Sequence, residues 1–591
     1  MDGDGVSKLL ERIGQEDGGQ EYKVVSHRLA TLGFDEAMRT GVTLKLSDFS
    51  PPKGREDSFK HVDEQDKVID SAPELSDEER SDLRDAVYGT ITTHLREESY
   101  RQGVDTANPL ADQVKAKARG DKLQLASILA TPGEFRDARG RLIPVYPKRS
   151  YSEGLSPAEW YSASYGTRQG VIATKFATPV GGDLGKQLTL AALDLVVTSD
   201  DCGTSTGVPF KASDQDSVGS ALAMDAGAYK AGQYLTPRML KELGDSHSHL
   251  VLRSPMTCKA KGGVCAVCAG LAEDGNPHPL MSNVGIKAGS ALCERVAQGS
   301  LNTKHGGGSK EKVKGLAGTA LITQLTQAPS TFRYKAPVSE VCGKVMSVEV
   351  APQGGHFIDV AGQRHYSEAG LTPLVAVGDD VEQGDVLTEG EINPSDIVRL
   401  KGVGEGRRYY AERLTSAFKD SKLAANRRNM EVVARANINH VNVTDSDGLA
   451  GWLVGDTAAY NAVEAEWKPR DDSVMDRPTK LVGKYLEEPA LHYSVGTPIT
   501  GKVAATLEEY GYDKALANDA PPGFEPEMIR LREAPHNQKD WMAKLRGTYL
   551  TKNLMEDTRT GATSSIHGLN PVPGMAFGAE FGKPPAGTVG Y

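Results

Sequence analysis

Six cysteines occur among the 591 residues, and four of them are spaced so that one metal ion could gather them. Cys258, Cys265 and Cys268 stand in TCKAKGGVCAVCAG, and Cys202 stands upstream in DDCGT. A Cys-x-x-Cys turn presents two thiolates to one ion, because the turn brings both sulfurs within tetrahedral reach of zinc. Two further cysteines close a four-sulfur site, which holds a fold together and seldom catalyses. A redox pair is the second chemistry open to Cys-x-x-Cys, but it would ordinarily start a helix after a strand in a βαβ unit. VCAVCAG instead sits among Gly and Lys. Free, buried cysteines are the third reading, and the one expected for Cys293 and Cys342, which have no partner at ligand spacing.

Other candidate groups are less specific on their own. His305 is an isolated titratable residue in the glycine-rich run SLNTKHGGGSK, whose GGGSK lacks the spacing and Lys-Ser/Thr order of a phosphate-cradling loop. Residues 401–440 hold nine Lys/Arg against four Asp/Glu, a basic excess inside a chain of net charge −11. Arg407, Arg408, Arg427 and Arg428 could there meet nucleic-acid phosphates, or belong to a solvated helix face. Both readings stay open.

The elements that would position these groups follow from periodicity. Residues 24–50 read as a helix, a turn at Gly33-Phe34 and an alternating strand TGVTLKLSDF; residues 50–75 are polar and read as a linker. Ser76 caps a long amphipathic helix with an acidic first turn and apolar Leu83, Val87, Ile91 and Leu95. A second helix is expected near 108–130, ending at Thr131-Pro132-Gly133, then a hairpin-like loop at DARGRLIPVY. A helix beginning at Ser156-Pro157 runs toward Leu195, and Pro179, Gly181 and Gly182 should kink it. Residues 338–392 are β-rich with frequent turns, 393–440 read as helix, loop, helix, strand, and the last forty residues are Gly- and Pro-rich loops. The fold class is multidomain α+β. The acidic N-terminus has no apolar signal core, and the longest apolar stretch, LTLAALDLVV, is interrupted by Asp194 and too short for a bilayer. Few cysteines and no apolar span lead to the expectation of a cytoplasmic protein without a membrane partner.

DDCGT followed by RSPMTCKAKGGVCAVCAG closely resembles the four-cysteine zinc site of bacterial β′ subunits of DNA-dependent RNA polymerase. Neighbouring segments match in the same order. HRLATLGFDEAMRTGVTLKLSDF is similar to the segment entering the funnel, and KARGDKLQLASILATPGEFRDARGRLIPVYPKRSYSEGL to the loop bracing the bridge helix. YGTRQGVIATKFATPVGGDLGKQL is similar to the bridge helix, AQGSLNTKHGGG to the trigger loop, and GDDVEQGDVLTEGEINPSDIVRLKG to a C-terminal segment. The resemblance covers most of residues 25–450 and, more thinly, 480–585, where IHGLNPVPGMAFGAEFG is similar to the family's final segment. It implies a funnel-entry segment and linker at 1–75, a helical region with the bracing loop at 76–155, and the bridge helix at 156–200. A zinc-binding module at 201–285 and the trigger loop at 286–312 follow. A β-sandwich (half-barrel) or jaw-like region at 313–392, a helical C-terminal core at 393–480 and a clamp- or switch-like segment at 481–591 complete the chain.

The resemblance implies zinc on Cys202, Cys258, Cys265 and Cys268. It implies that His305 faces the nucleotide phosphates, Gln298 the sugar and Leu301 the base, and that Arg168 and Thr178 lie beside the template and the active-site base pair. There are departures. Asn302 stands where the family has an arginine, Pro179 replaces a small residue, and ERVAQG shortens the family's Gly-x-Pro-Gly hinge, with Gly306, Gly307 and Gly308 as alternative sources of flexibility. The family's aspartate triplet for catalytic magnesium has no counterpart, since DGDG and DSDG lack the third carboxylate and suit turns better. Magnesium would then come from a separate N-terminal β′-type chain, a split as in cyanobacteria, plastids or large bacteriophages, and the drift at usually restricted positions favours a phage. The implied partners are that chain, β-type subunits, DNA template, nascent RNA and nucleoside triphosphates, with room for a sigma-like factor. The implied location is host cytoplasm or a virion. Two other classes compete. VAVGDDVEQGDVLTEGE resembles the half-barrel hairpins of biotinyl and lipoyl carriers, but GKVMSVEV offers no lysine-tipped turn. A catalytically silent, zinc-bearing nucleic-acid-binding or assembly subunit is the other alternative.

Overall fold

The computed structural model describes residues 2–16, 19–137, 141–172, 175, 178–302, 318–329, 331–421, 423–445, 449, 452–531 and 533. Contacts divide the chain into two compact units, one of residues 1–180 with 297–313, the other of 181–296 with 314–591.

The first unit is helical. Ser76 caps the Asp77–Asp105 helix as its sequence requires: the Glu79 N–H donates to Ser76 Oγ, and the Glu79 carboxylate accepts from the Ser76 N–H at 2.9 Å. Its Tyr88, Ile91 and Leu95 are buried with Phe59, Val62, Ala130 and Tyr146, whereas Leu83 is exposed. Phe59 and Val62 belong to a helix, Arg55–Ser71, in the stretch expected to be a linker. Arg55, Phe59, Val62 and Ile69 recur on one buried face, and Arg55 makes two hydrogen bonds, at 2.7 and 2.8 Å, to the Glu153 carboxylate. The expected Gly33 turn and following strand are also corrected. One helix, Gly19–Thr40, passes through Gly33, and TGVTLKLSDF forms no strand but ends in a 3₁₀ turn, Leu46–Phe49, with Val42, Leu44 and Leu46 exposed. An alternating pattern becomes a strand only where a neighbour takes its N–H and C=O groups. The helix expected near 108–130 is two, Pro109–Lys115 and Lys122–Leu129, capped by Asn108 and Asp121.

The hairpin-like loop closes through an Arg136–Leu142 bridge and packs along the Pro157–Ile172 helix. Phe135 and Ile143 bury against Ala163, and the Gln169 side-chain amide donates to the Arg136 carbonyl at 3.1 Å. Helix is described at Pro157–Ile172 and again at Thr178–Ala191, and the second span includes Pro179, Gly181 and Gly182.

The second unit mixes short sheets with helices, the longest being Pro394–Asp420. A four-stranded antiparallel sheet orders Gln363–Ser367, His356–Val360, Gly343–Val350 and Asp380–Val381 around Val345, Ile358, Val360, Val381 and Leu387, in the stretch expected to be β-rich. Helix, loop, helix, strand follows as expected: Pro394–Asp420, Arg427–Asn437 and His440–Val443. The first of these bends at Gly402, whose φ of 87° and whose closeness to Thr497 Oγ1, 2.8 Å from where a Cβ would stand, admit only glycine. Among the described residues no helix is long and apolar enough to cross a membrane.

Candidate metal centre

Short backbone pairings bring the four cysteines together. Strand Val197–Ser199 pairs in parallel with Val264–Cys265, which sets the loop carrying Cys202 beside Cys265. Gly263 permits this approach, since a Cβ there would lie 2.2 Å from the Val196 carbonyl oxygen. Cys265 then caps the one-turn helix Ala266–Ala269, so Cys268 faces the same point, and Cys258 follows the 3₁₀ turn Pro255–Thr257, capped by Ser254.

The four Sγ atoms lie within 4.8 Å of one another, with 3.8 Å from Cys202 to both Cys258 and Cys268. A tetrahedron of ~2.3 Å zinc–sulfur bonds has edges of about 3.8 Å, so the donor set fits zinc in size, number and chemistry. Cys258, Cys265 and Cys268 are buried and Cys202 is half-buried. Backbone N–H groups of Cys265 and Cys268 donate to the sulfurs of Cys258 and Cys265 at 3.2 and 3.3 Å. The sulfur–sulfur contacts pull the Cys202 thiol down and push those of Cys258 and Cys268 up, as befits four thiols that share their protons. The remaining two cysteines depart from expectation in part. Cys342 is exposed and Cys293 half-buried, its thiol donating to the Gly181 carbonyl at 3.1 Å.

Three positions that the sequence did not single out complete the surroundings. Arg253, 6% exposed, donates to the sulfurs of Cys268 and Cys202 at 3.3 and 3.4 Å and to Asp201 at 2.6 Å. Arg435, 1% exposed, reaches from the Arg427–Asn437 helix to the carbonyls of Pro255, Cys258 and Gly263 at 2.8, 2.8 and 2.9 Å. Glu431 of the same helix accepts from Ser254 Oγ at 2.7 Å. An arginine one residue before Ser-Pro in RSPMTC was the available signal for Arg253; nothing local marked the other two.

The basic residues considered for nucleic acid are held inside this unit. Arg407 is buried and donates to the carbonyls of Ile438 and Met256, both at 2.8 Å, and to Asn439 at 2.9 Å. Arg427 is buried over the Phe210 ring, bonded to Asp214 and, at 2.9 Å, to Glu431. Neither of the two open readings fits these residues, since a guanidinium enclosed in this way meets neither phosphate nor solvent. Arg408 pairs with Glu405 and Glu412, at 2.6 and 2.9 Å, and Arg428 donates to the carbonyls of Gly219 and Leu271 at 3.1 and 2.9 Å.

The remaining expected residues lie elsewhere. Arg168 is exposed on the Pro157–Ile172 helix, its guanidinium 5.2 Å from the Tyr165 ring centroid. Thr178 and exposed Pro179 lie in the Thr178–Ala191 helical span, and Leu301, Asn302 and exposed Gln298 lie in the Val284–Asn302 span. That helix runs unbroken through ERVAQG, the stretch compared with a hinge. His305, Gly306, Gly307, Gly308 and the segment IHGLNPVPGMAFGAEFG lie outside the described residues.

Sequence comparison gives a consistent set of relatives. The DNA-directed RNA polymerase subunit beta′ of Bifidobacterium adolescentis is 28% identical over 497 residues, covering 78% of this chain and 37% of that protein. The subunits of the same description from Tropheryma whipplei and Caldicellulosiruptor saccharolyticus are 27% and 26% identical, each over 493 residues, covering 78% of this chain and 38% and 41% of theirs. The chain thus spans about two-fifths of the length of these curated relatives. No family model matches it.

Proposed function

We propose, from the premise that this chain is homologous to DNA-directed RNA polymerase β′ subunits, that it is the C-terminal, β′-type portion of a multisubunit RNA polymerase. In this reading it is inactive alone and elongates RNA from nucleoside triphosphates only with its partners. The observation that carries the reading is the extent of the similarity, 78% of the chain, to relatives of one description.

The chain's share of the chemistry is positional. Residues 156–200 act as the bridge helix, with Arg168 and Thr178 against the template. Residues 286–312 act as the trigger loop: Gln298 contacts the ribose, Leu301 packs on the base, and His305 meets the phosphates, holding the nucleotide in line and excluding water. Asn302 brings no charge to that contact. Magnesium, held by an aspartate triplet on a companion N-terminal β′-type chain, supplies electrostatic stabilisation of the transferring phosphoryl group. The Cys202, Cys258, Cys265 and Cys268 centre holds zinc structurally. β-type subunits, DNA and RNA complete the assembly, and a phage-type split subunit is the form this reading favours.

The test is reconstitution with the companion β- and β′-type chains and measurement of single-nucleotide addition. Wild type should elongate, and His305→Ala should slow addition at saturating nucleotide by about 10²-fold or more, within the range of a positioned proton donor. Equal rates would overturn the trigger-loop assignment. A wild-type complex that binds template yet adds no nucleotide would favour the silent assembly subunit.

A further inference from the structure

Four thiolates around a zinc ion sum to a charge of −2, and three of these four sulfurs are buried. Burying that charge is costly unless a cation lies against the sulfurs. We propose that Arg253 is that cation, a positioning residue that retains the metal. This rests on the structural-zinc reading above and extends it to a residue outside the donor set.

The geometry is specific. One guanidinium spans the cluster: Nε donates to Cys268 Sγ at 3.3 Å, and Nη2 to Cys202 Sγ at 3.4 Å and to Cys265 Sγ at 3.8 Å. Three of the four sulfurs therefore share one planar fork, with sulfurs from the two ends of the motif joined through it. The arginine is fixed from both sides. Its backbone N–H donates to the Ala221 carbonyl at 2.8 Å, at the end of strand His249–Leu252, and Asp201 accepts from Nη2 at 2.6 Å. Asp201 in turn accepts from the Gly203 N–H at 2.9 Å, so the residue beside Cys202 both orients the fork and pairs with its charge. Cys258, the sulfur Arg253 does not reach, takes its donors from the Ala260 and Cys265 backbone at 3.5 and 3.2 Å. A lysine would keep the charge but not all three contacts, because one ammonium nitrogen replaces two donor nitrogens fixed in one plane.

The experiment compares wild type, Arg253→Gln and Arg253→Lys in the assembled complex. It measures zinc per chain and the rate of zinc transfer to a chromophoric chelator, and it records thiolate-to-cobalt absorption after cobalt replacement. Loss of a charged outer partner should speed release by about 10–100-fold in Arg253→Gln, with Arg253→Lys in between, while cobalt absorption keeps its four-thiolate intensity. Release from Arg253→Gln at the wild-type rate would overturn the proposal and leave the metal site standing. A wild-type complex without zinc and without thiolate-to-cobalt bands would instead overturn the metal reading itself. If Arg253→Gln failed to assemble, Arg253→Met, neutral and of similar volume, would decide: wild-type release from it would also refute the proposal.

Discussion

Substituting Arg435 tests whether the Arg427–Asn437 helix holds the metal-binding loop from outside. Its guanidinium makes three hydrogen bonds, at 2.8, 2.8 and 2.9 Å, to the carbonyls of Pro255, Cys258 and Gly263, and it is 1% exposed. Arg435→Met keeps much of the volume and removes all three bonds. Hydrogen bonds involving a charged group contribute about 1.5–3 kcal/mol each, so the gross loss is roughly 4.5–9 kcal/mol. Relief from burying a cation returns several kcal/mol of this. The carbonyls left without a donor decide the sign, and a net destabilisation of about 2–4 kcal/mol is expected. A chain of this size will not unfold in one step, so the assay is native-state hydrogen exchange in the assembled complex. Protection should fall at 254–265, zinc content should drop, and the four-stranded sheet between Gly343 and Val381 should keep its protection. Arg435→Lys should lose about half as much, since it lacks the planar fork. Unchanged protection at 254–265 in Arg435→Met would refute the reasoning.

Three further expectations follow from the same geometry. Cys265→Ser should lower zinc content and the yield of assembled complex, and chelation of the wild type should reproduce its exchange pattern; full zinc content in Cys265→Ser would contradict the four-sulfur site. Burial lowers the His440 pKa from 6.5 to about 4. Above pH 6.5 the ring is neutral in both states and nothing is lost. Below it the unfolded chain takes up a proton that the folded one refuses, so stability near the His440–Val443 strand should fall by up to about 3 kcal/mol as pH drops to about 4. His440→Gln should remove that part of the acid sensitivity, read as exchange at pH 7 and 5. A Cβ at Gly185 would stand 2.2 Å from Cys293 Sγ, so Gly185→Ala should destabilise the two-helix contact by about 1–3 kcal/mol, and Cys293→Ala should restore part of it; strict additivity in the double mutant would count against the contact.

The parts of the molecule legible in sequence are those whose chemistry is local. Ser76 and Glu79 specify their capping box three residues apart, and Cys265 and Cys268 specify one turn. The Arg55–Ser71 helix was hidden by composition rather than by pattern: Arg55, Phe59, Val62 and Ile69 keep helical spacing, but the polar residues between them read as a linker. TGVTLKLSDF failed in the opposite way, because its alternation is real but no neighbouring strand takes its backbone bonds. Arg435 was unreadable for a third reason. Its acceptors are carbonyls, which carry no charge pattern in sequence, and it lies 177 residues from Cys258.

That last reason also accounts for the basic excess between 401 and 440. A run of arginines suggests a phosphate-binding face when its partners are assumed to be outside the chain. Here Arg407, Arg427 and Arg435 point inward, and Arg407 and Arg435 lie close enough that burial, with repulsion from Arg435 added, pulls the Arg407 pKa down to about 9. Two buried cations of this kind call for negative charge nearby. Arg435 holds carbonyls that flank Cys258 and Cys265, and Arg407 holds that of Met256. Burial makes the arginines of this run structural: Arg427 is paired with Asp214 and Glu431, and Arg407 and Arg435 hold the backbone around the four cysteines.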